Sequence, residues 1–252
     1  MMVFILASLT NQELFRINLN VFGFSLTTGV ESVEILIFLA AIFVNISMYR
    51  AIHIYLPDTT DQIALHMFLP FAVTLTIGFT LRSFGNGGSW ALMIVTALLL
   101  YLVMFFEFVS CDPASGLRPL SIIVLDSLSY AVFLLFMIAL RANISRLIIT
   151  LPAAFLLCTV VSIKIYSFHI INSSISLLAV ITGLVIVFAE VGLHYFPINI
   201  ISYGTLIFLW YYTFTGFIIS ADRNEPVNML LKRLIPAWVL SGIVLLYALI
   251  RL

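Results

Sequence analysis

The sequence predicts an all-α integral membrane bundle of about eight transmembrane helices, preceded by a short N-terminal interfacial helix. Composition is the first observation behind this fold class: 63% of residues are hydrophobic and 9% are charged, with a mean hydropathy of +1.22. A soluble domain carries about 25% charged residues. The second observation is length, because apolar stretches of about 20 residues, enough for a helix to cross a bilayer, recur along the chain.

The apolar stretches place eight spans in order along the chain. Backbone groups in lipid must be hydrogen-bonded within their own segment, so each span is predicted to be a helix. Their uninterrupted length excludes β-barrel strands, which alternate over about ten residues. The connections between them are short and rich in Pro, Gly, Asp and Asn, as turns are. The predicted spans are 33–55, 62–83, 90–110, 119–140, 144–166, 174–196, 198–220 and 231–251.

Residues 1–31 form a separate N-terminal segment before the transmembrane domain of residues 32–252. The stretch Thr10–Glu13 has the form of a capping box, which predicts a helix start. Apolar residues mixed with Arg16 and asparagines follow, so we predict a short helix lying on the membrane surface. A disordered tail is the alternative. The segment has no basic n-region, so a cleaved signal peptide is not expected.

The spans superpose at an offset near 110 residues, which suggests an internal repeat. Val109–Asp112 aligns with Ile219–Asp222. A duplication would relate residues 33–140 to residues 144–251 as two parallel halves of four helices. The alternative is chance, because apolar helices with short loops resemble one another at similar intervals.

The distribution of charge bears on partners and orientation. We call side A the membrane face that carries the loops after spans one, three, five and seven, and side B the other face. Side A has six Lys or Arg residues and side B has five, which favours side A as cytoplasmic in the cell inner (plasma) membrane. The net charge is zero, so the expected partners are the lipid bilayer and other membrane proteins, not nucleic acid. Cys111 and Cys158 give no disulfide framework.

Four ionisable residues form a candidate polar cluster on side A: Glu107, Asp112, Arg118 and Asp126. Spans three and four are expected to be antiparallel neighbours, which would bring these residues together. Ionisable residues inside a membrane usually face the bundle interior and have partners. The functional interpretation is a proton- or cation-binding site. The structural alternative is a network in which Arg118 pairs with Glu107 and Asp126 bonds a neighbouring Ser or Tyr.

A second candidate polar cluster lies on side B and contains Arg82, Glu190 and His194. Glu190 and His194 are four residues apart and share a helix face. That spacing suits a metal, but Glu34 is the one obvious third ligand, so an Arg82–Glu190 ion pair is the simpler interpretation. We predict no metal site and no cofactor.

Two other ionisable residues and the search for motifs add no catalytic residues. His66 is expected to be a solvated interfacial histidine, and Lys164 is expected to extend to the lipid headgroups. No nucleophile elbow, P-loop or HExxH motif is present.

One stretch resembles a known family. Phe106–Pro113, continuing through Arg118 to Tyr130, is similar to the acid–x4–Asp-Pro turn of an uncharacterised family of small polytopic bacterial membrane proteins. The resemblance covers about residues 95–165. It implies a multi-pass fold and no particular activity.

Three functions are compatible with these patterns. The favoured one is a non-enzymatic accessory or assembly subunit that packs against other membrane proteins, because polar residues are scarce, phenylalanines number 22 and no soluble domain is present. The alternative is a small proton- or ion-coupled carrier or channel. The carrier is disfavoured because Asp126 is a single deep acid with no second polar residue recognised on spans one or two. The third is an intramembrane lipid-modifying enzyme that would use Glu107, Asp112 and Asp126 as acid–base groups.

Overall fold

The computed structural model describes residues 13–21, 24–55, 63–84, 89–112, 114–143, 147–170 and 174–250. In this part of the chain, two β-strands precede eight α-helices. The strands are β1 (Glu13–Val21) and β2 (Phe24–Glu31). The helices are α1 (Ser32–Tyr55), α2 (Ile63–Phe84), α3 (Ser89–Cys111), α4 (Arg118–Asn143), α5 (Leu147–His169), α6 (Ile175–His194), α7 (Ile200–Asp222) and α8 (Val227–Ile250).

The helical membrane bundle predicted from hydropathy is confirmed, and the helix ends lie within a few residues of the predicted spans. Among the described residues, six helices are long and apolar enough to cross a membrane, namely α1 and α4 to α8. The helices α2 and α3 contain shorter apolar segments, His66–Gly78 and Ala97–Cys111. The protein is therefore a multi-pass membrane protein, and the count of eight crossings stays a prediction.

The N-terminal segment differs from the prediction. Residues 13–21 and 24–31 form a two-stranded antiparallel sheet whose register runs from Val21 opposite Phe24 to Glu13 opposite Glu31, so the predicted surface helix is wrong there. The physical reason is the period of the pattern: apolar residues from position 15 to position 21 alternate strictly with polar ones. Alternation favours a strand, whereas an amphipathic helix repeats every three to four residues. Thr10 of the capping box lies outside the described residues.

Helix α4 is central in the bundle, where it packs against α2, α3, α5 and α7. Helix α1 packs mainly on α2 at one edge, and α8 mainly on α7 at the other. The core lies where α2, α4, α5 and α7 meet, and it includes a Phe133 ring stacked on Tyr211 with centroids 4.1 Å apart. The relation of residues 33–140 to residues 144–251 as a repeat stays a prediction.

Three pairs of hydroxyl groups link neighbouring helices among the described residues. Ser162 bonds Tyr211 at 3.1 Å, Tyr130 bonds Thr215 at 3.0 Å, and Tyr166 bonds Thr182 at 2.7 Å, oxygen to oxygen. Such pairs satisfy polar groups that would otherwise be unbonded in an apolar interior.

Reporter fusions test the topology. A reporter fused after Leu252 and another placed in the Asp222–Pro226 connection are expected on opposite sides of the membrane, because α8 separates the two positions. Compartment-specific activity of the two fusions measures this. Activity of both reporters in the same compartment would show that α8 does not cross.

Candidate functional site

Three ionisable side chains from three helices meet near the side-A ends of those helices. Glu107 lies one turn before the end of α3, His66 lies in the first turn of α2, and Lys164 lies five residues before the end of α5. The Lys164 Nζ donates a hydrogen bond to Glu107 Oε2 at 2.6 Å, and His66 Nδ1 lies 2.8 Å from the same oxygen. We call Glu107, Lys164 and His66 the buried triad.

The triad is shielded from the surroundings. Glu107 is 0% exposed, Lys164 1% and His66 9%. The Lys164 ammonium also lies over the Phe168 ring, 4.7 Å from its centroid. The expectations that Lys164 reaches the headgroups and that His66 is solvated are therefore wrong. The physical reason is Glu107, because its buried carboxylate provides an acceptor that makes burial of both side chains tolerable.

The arrangement leaves room for an additional proton. Oε2 of Glu107 takes both contacts, whereas Oε1 is buried with no hydrogen-bond partner among the described residues. Lys164 Nζ and His66 Nδ1 are themselves 3.2 Å apart. Ser110 Oγ lies 3.4 Å from His66 Nδ1 and donates to the Glu107 carbonyl at 2.8 Å. The Glu107 carboxylate, the Lys164 amino group and the His66 imidazole thus lie within hydrogen-bonding distance of each other. A proton can therefore pass among them with little movement of the side chains.

The other members of the predicted side-A cluster lie apart from Glu107. Asp112 is at the end of α3, where its Oδ1 accepts a hydrogen bond from the Ala114 amide at 2.9 Å. Arg118 is exposed at the start of α4. In place of the predicted Arg118–Glu107 pair, the described ion pairs of Glu107 are with Lys164 and His66.

Asp126 belongs to a second side-A group that joins α4, α5 and α7. His169 Nε2 lies 3.2 Å from Asp126 Oδ2. Arg223, directly after α7, lies with Nη2 3.0 Å from His169 Nδ1 and with Nε 3.4 Å from the His169 carbonyl oxygen. The Asp126 carboxylate is therefore paired with a histidine, not with the Ser or Tyr that the structural alternative expected.

On side B, Glu190 and His194 meet Arg141 of α4. Arg141 Nη1 lies 3.0 Å from His194 Nδ1, and Nη2 donates to the His194 carbonyl at 3.1 Å. The Arg141 guanidinium also lies over the Tyr203 ring, 4.9 Å from its centroid. The hydroxyls of Tyr203 and Thr150 bond the Glu190 carboxyl, and Arg141 is near it.

Two side-B predictions involve Arg82 and Glu34, and the described side chains do not test them. The side chain of Arg82 lies outside the described residues, so an Arg82–Glu190 pair stays a prediction. The side chain of Glu34 lies outside them as well. Among the side chains that the structure describes, no group of three or more His, Cys, Asp or Glu residues is placed to hold a metal ion.

Sequence reasoning missed His66, Lys164, Arg141, His169 and Arg223 as partners in these clusters. One signal was present, because His66, Glu107 and Lys164 lie at similar distances from the side-A ends of their predicted spans. Depth alone does not identify partners. The contact of α2 with both α3 and α5 brings the triad together, and hydropathy carries no information about which helices are neighbours.

A double-mutant cycle tests whether Arg141 is a partner of Glu190. We expect Arg141→Ala and Glu190→Gln to be non-additive, with a coupling of about 0.5–2 kcal/mol, because residues in one polar network interact. The free energy of unfolding in mixed detergent micelles measures this. Arg82→Ala combined with Glu190→Gln is the comparison, and a larger coupling in that pair would assign the partner to Arg82.

Comparison with known proteins gives a family without an assigned activity. A match to a family model extends over residues 11–250, far beyond the residues 95–165 in which the sequence resembled an uncharacterised family. The match includes both strands and all eight described helices. Searches of curated proteins and of solved structures gave no match. The chain therefore belongs to the family described as Protein of unknown function (DUF5656).

Proposed function

We propose that this protein is a small proton-coupled membrane carrier in which Glu107 of the buried triad binds and releases the proton. The observation that carries the proposal is the contact of both Lys164 and His66 with one oxygen of Glu107. The sequence disfavoured a carrier because no second polar residue was recognised on the first two spans. His66 on α2 is such a residue, and it contacts the acid directly.

The energetics of the triad favour proton exchange. An ionisable residue within a membrane span is a functional candidate by default, because burying its charge in apolar surroundings is costly unless it has a partner. With Lys164 charged and Glu107 ionised, the two formal charges cancel. The free Glu107 Oε1 accepts a proton without displacing Lys164 from Oε2. Protonation of Glu107 therefore weakens the ion pair but leaves the hydrogen bond from Lys164 to Oε2 in place.

The triad also provides the coupling that a carrier requires. Its members come from α2, α3 and α5, so the charge on Glu107 changes the attraction between these three helices. A carrier must convert ion binding into a change of helix packing, and ion sites at the junction of several helices serve that purpose.

Infrared spectroscopy of the reconstituted protein during a pH titration tests the proton site. We expect the C=O band of buried carboxylic acids to rise on acidification and to lose the Glu107 component in Glu107→Gln, whereas a component from the buried Glu190 remains. Asp112→Asn is the matched control, because Asp112 is an acid at the end of the same helix whose carboxylate accepts a local backbone hydrogen bond. An unchanged band in Glu107→Gln, or its absence from the wild-type protein, would contradict the proposal.

An accessory or assembly subunit is the second candidate. The observation in its favour is α8, which packs mainly on α7 and leaves large apolar side chains such as Trp238 and Met229 exposed. Purification in mild detergent followed by mass spectrometry tests it, and a stoichiometric partner protein would favour the subunit. We do not propose a lipid-modifying enzyme, because Glu107, Asp112 and Asp126 each have separate partners.

A further inference from the structure

The last residues of α5 and α6 are both histidines, and an arginine from another helix holds each one in the same way. At His169 on side A, Arg223 lies 3.0 Å from the ring Nδ1 and 3.4 Å from the backbone carbonyl oxygen. At His194 on side B, Arg141 makes the corresponding contacts at 3.0 and 3.1 Å. Because α5 and α6 are consecutive helices, these ends lie at opposite faces of the bundle.

The arginines determine which ring nitrogen carries the proton. A guanidinium group has donors and no acceptor, so the Nδ1 that it contacts must present a lone pair. Each histidine is therefore neutral, with its hydrogen on Nε2. On side A this tautomer also fits the other neighbour, because His169 Nε2 lies 3.2 Å from Asp126 Oδ2 and donates to it.

We propose that the Arg223–His169 and Arg141–His194 contacts are two proton-released latches, one at each membrane face. The side-A latch ties the end of α7 to the end of α5, and the side-B latch ties α4 to the end of α6. Histidine is the side chain that changes its charge near neutral pH. A second proton occupies Nδ1, which then directs an N–H at an arginine donor 3.0 Å away. Two donors and two like charges face each other, so the contact to the ring is lost.

The charged and titratable groups around the two histidines differ between the two sides. Around His169 the charged contacts are Asp126 of α4 and Arg223 directly after α7. Asp126 accepts from Nε2 in both protonation states, so a protonated His169 keeps its acid and loses its arginine.

His194 contacts Arg141 of α4 and the adjacent Tyr195, whose ring centroid is 5.4 Å from that of the histidine. Tyr203 of α7 lies against the Arg141 guanidinium, and Glu190 lies one turn before His194 on the same helix. No described contact joins Glu190 to His194, so on side B the charged group that contacts the histidine is Arg141.

The inference rests on the proposed function, since a proton-coupled carrier must open one face at a time. A latch that responds to protons on its own face gives each side a separate release, while the buried triad holds the transported proton. The latches are nonetheless structurally separate from Glu107, so the two proposals can fail independently.

Spin-label distances test the latches in the full-length reconstituted protein. One label pair on side A uses Ser174→Cys and Ala221→Cys, which are exposed at the start of α6 and the end of α7. A second pair on side B uses Ala142→Cys and Pro197→Cys, which are also exposed. We expect acidification to lengthen or broaden both distances, because each latch is released.

Histidine-to-asparagine variants provide the matched controls. The Asn side-chain oxygen replaces Nδ1 as the acceptor for arginine but does not take up a proton. We therefore expect His169→Asn to remove the response on side A and preserve it on side B, and His194→Asn to do the reverse. Arg223→Gln should give the long side-A distance at every pH.

Two outcomes would overturn the latch proposal: distances in the wild-type protein that do not change with pH, or the same change on side A in His169→Asn as in the wild type. Glu107→Gln separates the two proposals. We expect its latch responses to persist. If the infrared band were unchanged in Glu107→Gln while both latch responses stayed intact, the proton site alone would be refuted.

Discussion

Replacing Lys164 with methionine is expected to lower the free energy of unfolding by about 3–5 kcal/mol, because the change leaves the Glu107 carboxylate fully buried without its cation. Methionine keeps an unbranched apolar chain of similar length, so the loss of packing is small. His66 remains 2.8 Å from Glu107 Oε2 and compensates only in part. Unfolding in mixed detergent micelles measures the difference.

Two further variants make this test specific. The double variant Lys164→Met with Glu107→Gln should recover most of the loss, because it removes both charges together. Lys232→Met is the matched control on the exposed surface of α8, where the change should stay within about 0.5 kcal/mol. Equal effects of Lys164→Met and Lys232→Met would show that the buried ion pair does not stabilise the fold.

Replacing Gly204 with alanine is expected to destabilise the protein by about 1–3 kcal/mol, because a Cβ there overpacks the contact between α7 and α4. An added Cβ would lie 2.4 Å from Ile138 Cγ1 and 3.3 Å from the Ile138 backbone nitrogen. The side chain of Ile138 would have to move, and the α4 backbone behind it leaves little room. Small residues at such positions let membrane helices approach closely. The thermal melting temperature in detergent measures the effect.

Gly192→Ala is the matched control on α6. A Cβ at Gly192 would meet no heavy atom within 4 Å, and alanine favours a helix over glycine by up to about 1 kcal/mol. Its stability should therefore stay unchanged or rise. If Gly204→Ala behaved like Gly192→Ala, the close approach of α4 and α7 at this point would be refuted.

The amino-acid sequence by itself determined the lipid environment, the helical bundle and most helix ends. These features depend on residues near one another in the chain: about 20 apolar residues make a span, and Pro, Gly and Asp mark its connections. The same local logic explains the error in the N-terminal segment. There the strict alternation from position 15 to position 21 favours a strand, whereas the capping-box form of Thr10–Glu13 favours a helix start.

The partners of the buried charges were decided only by the tertiary structure. Glu107 is 41 residues from His66 and 57 residues from Lys164, so no local spacing joins them. Asp126 likewise finds His169 on α5, and His194 finds Arg141 on α4. In lipid, an apolar helix face gains little free energy by contacting another helix instead of lipid. Close packing therefore determines which helices are neighbours. Examples of this packing are the close approach of Gly204 to Ile138 and the contacts of α2 with α3 and α5. These contacts determine which ionisable residues lie next to each other.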